Sequence, residues 1–283
     1  MSVGFGSKGV SFLPGFWTHI MYGKDVLEEI GLDLEADKRE EFNLGCLFTD
    51  PGKYCSREDP EFYLWRFSHT LRCDDFAKLL CRKSEEISRF YSLGVICHYF
   101  LDATVNHYIV ARAGNGYKYR QLETMIDKVI LKSKVEADIL DLDPTAEFSR
   151  SLPAALEDLY REISMEFYGI KGCSIQKAID SMNQYFAGIY GRSRLALILK
   201  RFSIKEGSPE EAFFEDTHVD PLNLEMKPWF HSIAGWESKK TFDELYREAF
   251  DSAVLFLQNY LDSQTDFSLP GVSLMTNLPL MDY

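Results

Sequence analysis

The stretch Gly94-Val-Ile-Cys-His98-Tyr-Phe-Leu-Asp102-Ala-Thr-Val-Asn106-His107-Tyr-Ile109 decides how this chain reads. It lies in a run with no proline between Pro60 and Pro144, and similar runs separate Pro153 from Pro209 and Pro228 from Pro270. Proline breaks helix interiors, so these runs leave room for long helices. His98 and Asp102 stand at i and i+4, one turn apart on one helix face. That spacing can place an imidazole nitrogen and a carboxylate oxygen on one cation. Equally, Asp102 can orient a buried His98 or cap a neighbouring helix. The surrounding residues are apolar, so an unpaired Asp102 would be costly to bury.

Working outward, Glu61 to Arg82 places Phe62, Trp65, Phe76, Leu79 and Leu80 near the helical repeat and predicts one helix. Ser84 reads as the cap of the next helix, which runs to about Ala111, and Gly114-Asn-Gly116 ends it. A further helix covers Lys118 to Asp138. Ser151-Leu-Pro153 opens another, to about Phe167, and Ser174 to about Phe202 follows. Residues 207–236 read as a long loop, and Ser238 or Thr241 starts a last helix to about Asp262. Strand-like alternation is hard to find. The expectation is all-α, a single multi-helix domain over residues 1–283, with a site-bearing half at about 17–138 and C-terminal helices at about 151–263.

Thirty-one basic side chains face 44 acidic ones, a net charge of −13, which argues against a nucleic-acid binder and against an anionic membrane surface. A chain of 283 residues, 46% hydrophobic, can bury a core, which excludes disorder and a disulfide-stapled miniprotein. No transmembrane segment and no signal peptide are read, so the expected location is cytoplasmic. The six cysteines form no C-x-x-C pair and read as reduced, buried thiols. No Gly-rich phosphate loop or G-x-S-x-G elbow occurs.

Four of the six histidines lie in the first 107 residues, interleaved with carboxylates. Trp17-Thr-His19 opens the first helix, Asp50 stands before a turn, His69 lies within the second long helix, and Glu123 and Asp127 stand one turn apart. Asp127 reads as a solvated or helix-pairing carboxylate, and His218 and His231 as surface or satisfied loop histidines rather than ligands. In this order the segments resemble the zinc-dependent phospholipase C family, relatives of bacterial phospholipases C and P1-type nucleases. The resemblance runs from His19 to Asp127 and resumes at Lys227-Pro-Trp229-Phe-His231 and Ser238 to Glu248.

The resemblance implies a helical fold around a zinc cluster, with a metal-bound water attacking a phosphodiester of a phosphoester or phospholipid head group. It implies His19, Asp50, His69, His98, Asp102 and Glu123 as metal ligands, with Asp102 suited to bridge two ions and Asp50 to orient or deprotonate the water. Two departures stand out. The family's Asp-x-x-x-His-Pro-Tyr becomes Asp102-Ala-Thr-Val-Asn106-His107-Tyr108, and Tyr119 stands where a histidine precedes the glutamate. On a continuous helix Asn106 lies roughly 80° from His98 and His107 roughly 180° away. Asn106, His107 and Tyr119 are therefore weak candidate ligands, and one or two zinc ions are expected rather than three. The alternative is a catalytically impaired scaffold that binds metal, lipid head groups or a protein partner.

Overall fold

The computed structural model describes residues 15–114, 117–190, 220–263 and 267–280. It is all-α. Helices α1 (Phe16–Glu29), α2 (Ala36–Leu47), α3 (Pro60–Ser68), α4 (Cys73–Ser84), α5 (Arg89–Ala113) and α6 (Tyr117–Val135) form the first part. They are followed by α7 (Ala154–Tyr168), α8 (Ile175–Tyr190) and α9 (Phe242–Ser263). Short 3-10 helices occupy Asp50–Tyr54 and Pro144–Ala146. Between α8 and α9, two antiparallel two-residue strands, β1 (Trp229–Phe230) and β2 (Glu237–Ser238), pair Trp229 with Ser238. No described helix is long and apolar enough to cross a membrane.

The long helix of the opening stretch is the axis of the fold. From Tyr91 to Val110 every residue of α5 except Thr104 is buried. A helix apolar on all sides has to be wrapped by others, and α1, α2, α4, α6 and α9 all pack on it. Its cap is Ser88, whose hydroxyl accepts from the Tyr91 amide at 3.2 Å, so helix start and cap lie one turn beyond the expected Ser84, which ends α4. The last helix opens at Thr241 with a reciprocal cap. The Thr241 hydroxyl accepts from Glu244 N (3.1 Å) and Glu244 Oε2 accepts from Thr241 N (2.7 Å).

The helix expected over Glu61 to Arg82 is two helices. His69 follows the last residue of α3, and Arg72, at φ 49°, turns the chain in the left-handed region before α4. The apolar repeat continues through the break because both helices face the same core, which conceals the interruption in the sequence. The Ser174–Phe202 helix is described as far as Tyr190. Its remainder, His218, and Asn115 and Gly116 of the expected turn lie outside the described residues.

α2 and α5 cross with their backbones nearly touching. A Cβ on Gly94 would sit 2.1 Å from the Phe42 carbonyl, and one on Gly45 2.1 Å from the Tyr91 carbonyl. Neither backbone atom can yield, so both positions require glycine. This crossing brings the carbonyl of Cys46 within 2.9 Å of His98 Nδ1. Gly94→Ala is expected to cost about 3 kcal/mol or more, or to prevent folding. By contrast Gly188→Ala, in α8 with open space at its Cβ, should stabilise by up to about 1 kcal/mol. Urea unfolding of the two variants checks both.

Candidate metal centre

Four elements converge on the inner face of α5. The first turn of α1 carries His19, and its start, Gly15, has no side chain to cap it. The Asp127 carboxylate of α6 does so instead, accepting from Trp17 N (3.1 Å), Thr18 N (2.8 Å) and Thr18 Oγ1 (2.6 Å). Asp127 is thus neither solvated nor a metal-centre residue but an N-terminal cap donated from a distant helix, which the local sequence could not reveal. Burial raises its pKa to about 7, against the pull of those hydrogen bonds.

α2 ends at Phe48, a buried residue at φ 46°. This left-handed turn sends the chain into the 3-10 helix that begins with Asp50. Phe48 packs on the rings of His69 and His98, at 5.9 and 5.2 Å. His69 hangs from the end of α3, and His98 and Asp102 from α5.

The hydrogen bonds fix the tautomers. His69 Nδ1 lies 2.7 Å from the Trp65 carbonyl, and His98 Nδ1 lies 2.9 Å from that of Cys46. A carbonyl only accepts, so both Nδ1 atoms carry hydrogen, and both Nε2 lone pairs of the neutral rings point inward. These Nε2 atoms stand 3.1 Å apart. Asp50 Oδ1 is 3.3 Å from His69 Nε2, and Asp102 Oδ2 is 3.3 Å from both His69 Nε2 and His98 Nε2. Neither carboxylate oxygen has a hydrogen-bond partner, although both are buried.

Four inward-facing acceptors repel one another unless a proton or a metal cation lies among them. Burial disfavours charge on His69, but the facing carboxylates of Asp102 and Asp50 outweigh it and raise its pKa to about 9. Burial lowers that of His98. A metal fits the same place. A tetrahedron with bonds of about 2.0–2.1 Å has edges of about 3.3–3.4 Å. Asp50, His69, His98 and Asp102 each offer an atom within 4.8 Å of the others, and the four edges given above are 3.1–3.3 Å. Nitrogen and carboxylate oxygen donors suit Zn²⁺.

The other expected residues are distributed unequally. His19 stacks on His98, its ring centroid 4.4 Å away, and its Nε2 lies 3.2 Å from Asp102 Oδ1 and 3.7 Å from Asp50 Oδ2. Glu123 is buried nearby, with Oε2 lacking a hydrogen-bond partner, and burial raises its pKa to about 8. Asn106 Oδ1 accepts from the Tyr119 hydroxyl at 3.0 Å. A cavity of about 20 Å3, room for a single water, touches His19, Asp102, Asn106 and Glu123.

His107 lies elsewhere. α5 continues unbroken past it, so its ring turns away to pack on Trp229 (5.5 Å), Trp236 (5.7 Å) and His231 (5.9 Å). His231 is buried and satisfied: Nε2 donates to the Thr276 carbonyl (2.7 Å), and Nδ1 accepts from Ala234 N (2.9 Å).

One residue of the centre escaped the sequence reading. Lys53 is buried, with Nζ 2.8 Å from Asp50 Oδ2 and 3.8 Å from Glu123 Oε1. In a 3-10 helix i and i+3 eclipse, so Asp50-Pro-Gly-Lys53 sets the ammonium over the carboxylate. That spacing was the available signal. Burial opposes the ammonium, but Asp50 and Glu123 outweigh it and hold Lys53 charged. Burial likewise opposes ionisation of Asp50, and Lys53 with the nearby histidines overcomes it, so Asp50 stays ionised. In a second acidic group, Cys55, Asp59 and Glu61, the Lys177 ammonium bridges the two carboxylates, 2.7 Å from Asp59 and 3.0 Å from Glu61.

A helical shell here buries a mixed histidine and carboxylate group that could hold a metal ion. The zinc dependent phospholipase C family model matches residues 18–168, and the chain belongs to that family. Membership supports a metal-dependent phosphodiesterase-like function and a phosphoester or phospholipid substrate. The stretches Lys227–His231 and Ser238–Glu248 lie outside the matched span. No curated protein and no solved structure matches the chain.

The buried His107 provides a pH test. Burial, with His231 and Lys240 adding to it, lowers its pKa from 6.5 to about 4. The unfolded chain takes up this proton near pH 6.5 and the folded chain only near pH 4. Stability present above pH 6.5 is therefore lost as the pH falls to 4, by up to roughly 3 kcal/mol. His107→Phe keeps the ring packing and should reduce the loss of urea resistance between pH 7 and pH 5.

Proposed function

We propose that the chain is a zinc-dependent phosphodiester hydrolase of the phospholipase C type, with Asp50, His69, His98 and Asp102 holding the ion. The observation that carries this reading is the pair of histidines whose Nδ1 hydrogens are committed to backbone carbonyls, so that both Nε2 atoms face two hydrogen-bond-free carboxylate oxygens. When bound, zinc supplies a Lewis acid for a phosphoryl oxygen and lowers the pKa of a coordinated water. The protein fixes the donors before any ion arrives, because each hangs from a buried element. Asp102 directs Oδ2 to His69 and His98 and Oδ1 to His19, so one oxygen is left for the ion and the other fixes the carboxylate. Asp50, held by Lys53, is placed to orient a water or take its proton.

The apolar side chains that Leu224, Met226, Phe230, Ile233 and Trp236 expose on and around the β1–β2 hairpin support a lipid rather than a soluble ester as substrate. The second reading, a scaffold that binds metal without turnover, is favoured by the Tyr119–Asn106 hydrogen bond at two of the family's ligand positions.

Zinc content and zinc-dependent release of nitrophenol from a choline-phosphate ester separate the two. His98→Ala and Asp102→Asn are expected to lose bound zinc and at least 100-fold in rate. Zinc binding without turnover on any phosphodiester would favour the scaffold, and protein that takes up no zinc would refute both.

A further inference from the structure

Asp50 and Asp102 each face two ways, which divides the centre into unequal halves. One half gathers Asp50 Oδ1, Asp102 Oδ2 and the two Nε2 atoms, all acceptors when the rings are neutral. In the other half, Asp50 Oδ2 meets Lys53 Nζ at 2.8 Å, and Asp102 Oδ1 meets His19 Nε2 at 3.2 Å. Glu123 Oε1 stands 3.8 Å from the same ammonium. We propose that the Lys53 ammonium is the resident cation of this second half, standing in for a second metal ion between Asp50 and Glu123, so that the chain binds one zinc ion. The inference rests on the proposed reading of the four-donor group as a zinc site.

Charge and donor chemistry both favour the lysine. The buried, ionised Asp50, with the Glu123 carboxyl on the far side of the ammonium, needs a positive charge beside it. The ammonium provides it from within the same 3-10 turn as Asp50, and it lies over the Trp65 ring, whose centroid is 5.6 Å from Nζ. A protonated lysine has no lone pair to offer a metal, and its charge repels a divalent ion placed against the same oxygens. Apart from the His19 imidazole, beside Asp102, the remaining donors are poor. Asn106 Oδ1 is engaged by the Tyr119 hydroxyl at 3.0 Å, and a neutral phenol or carboxamide is a weak zinc ligand beside an imidazole. Three positions thus agree: Asn106 and Tyr119 lack imidazole, and Lys53 supplies the missing charge.

The test is zinc stoichiometry, by native mass spectrometry with elemental analysis, after equilibration with excess zinc and removal of loose ions. Wild type and Lys53→Arg are expected to hold one zinc per chain. The double variant Asn106→His/Tyr119→His, with Lys53 retained, should still hold one. Adding Lys53→Ala to that pair should raise the count to two. A double variant already holding two, a triple variant still holding one, or wild type holding two would overturn the assignment of Lys53. Wild type holding none would instead overturn the zinc reading beneath it, and the lysine assignment with it. Should the triple variant fail to fold, as judged by circular dichroism, acylation of the folded wild type decides. Lys53 should resist an amine-reactive reagent with and without zinc, and its exposure on zinc loading would overturn the proposal.

Discussion

Two hydrogen bonds from imidazole to backbone hold the centre in its form. His69 gives its Nδ1 hydrogen to the carbonyl of Trp65 and His98 gives its own to that of Cys46. Each bond leaves an Nε2 lone pair pointing inward, and with Asp50 and Asp102 opposite, the middle of the molecule demands a cation or a proton. The Trp65 carbonyl is available because α3 ends beside it and the chain turns at Arg72. The Cys46 carbonyl is within reach because Gly45 and Gly94 let α2 and α5 approach to backbone contact. Helix packing, tautomer and ligand direction are therefore one constraint seen at three scales.

The carboxylates carry the electrostatic side of this arrangement. Asp50, Asp102, Glu123 and Asp127 are all buried, and each meets the cost of burial differently. Asp127 spends its charge on the amides that begin α1, which fixes the helix carrying His19. Asp102 stays ionised against burial because His98 and His19 flank it. Asp50 answers to Lys53 on one side and His69 on the other. Glu123, 3.8 Å from the Lys53 ammonium and with Oε2 lacking a hydrogen-bond partner, is the least satisfied of the four, and burial drives it toward the neutral form. These four buried residues give the chain's acidic excess a local meaning.

Much of this was legible in the sequence. Proline-free runs marked the long helices, and the i, i+4 spacing of His98 and Asp102 put both on one face because that relation is internal to a helix. The same geometry indicated that Asn106 would turn toward the centre more than His107, and in the structure His107 packs against Trp229 and Trp236. The reading failed where a local pattern has two outcomes. The apolar repeat from Glu61 to Arg82 continues through a chain reversal, since two helices facing one core keep the same periodicity. Ser84 and Ser88 are both acceptable caps, and packing chose the second. His231, read as a surface or satisfied loop histidine, is the satisfied kind, enclosed by the hairpin and the Thr276 carbonyl.

The sequence by itself determined an all-helical chain and the order in which histidines and carboxylates appear along it, because helix formation and the spacing of residues on one helix depend on neighbours in the chain. Only the tertiary structure decided which of those residues meet. The four-donor group draws on elements up to 52 residues apart (Asp50 to Asp102), the cap on α1 comes from Asp127 in α6, and Lys53 meets Glu123 of another helix. Convergence of that kind follows from how buried helices pack around α5, and a side chain's chemistry there is set by the oxygens, nitrogens and charges that packing brings within hydrogen-bond distance.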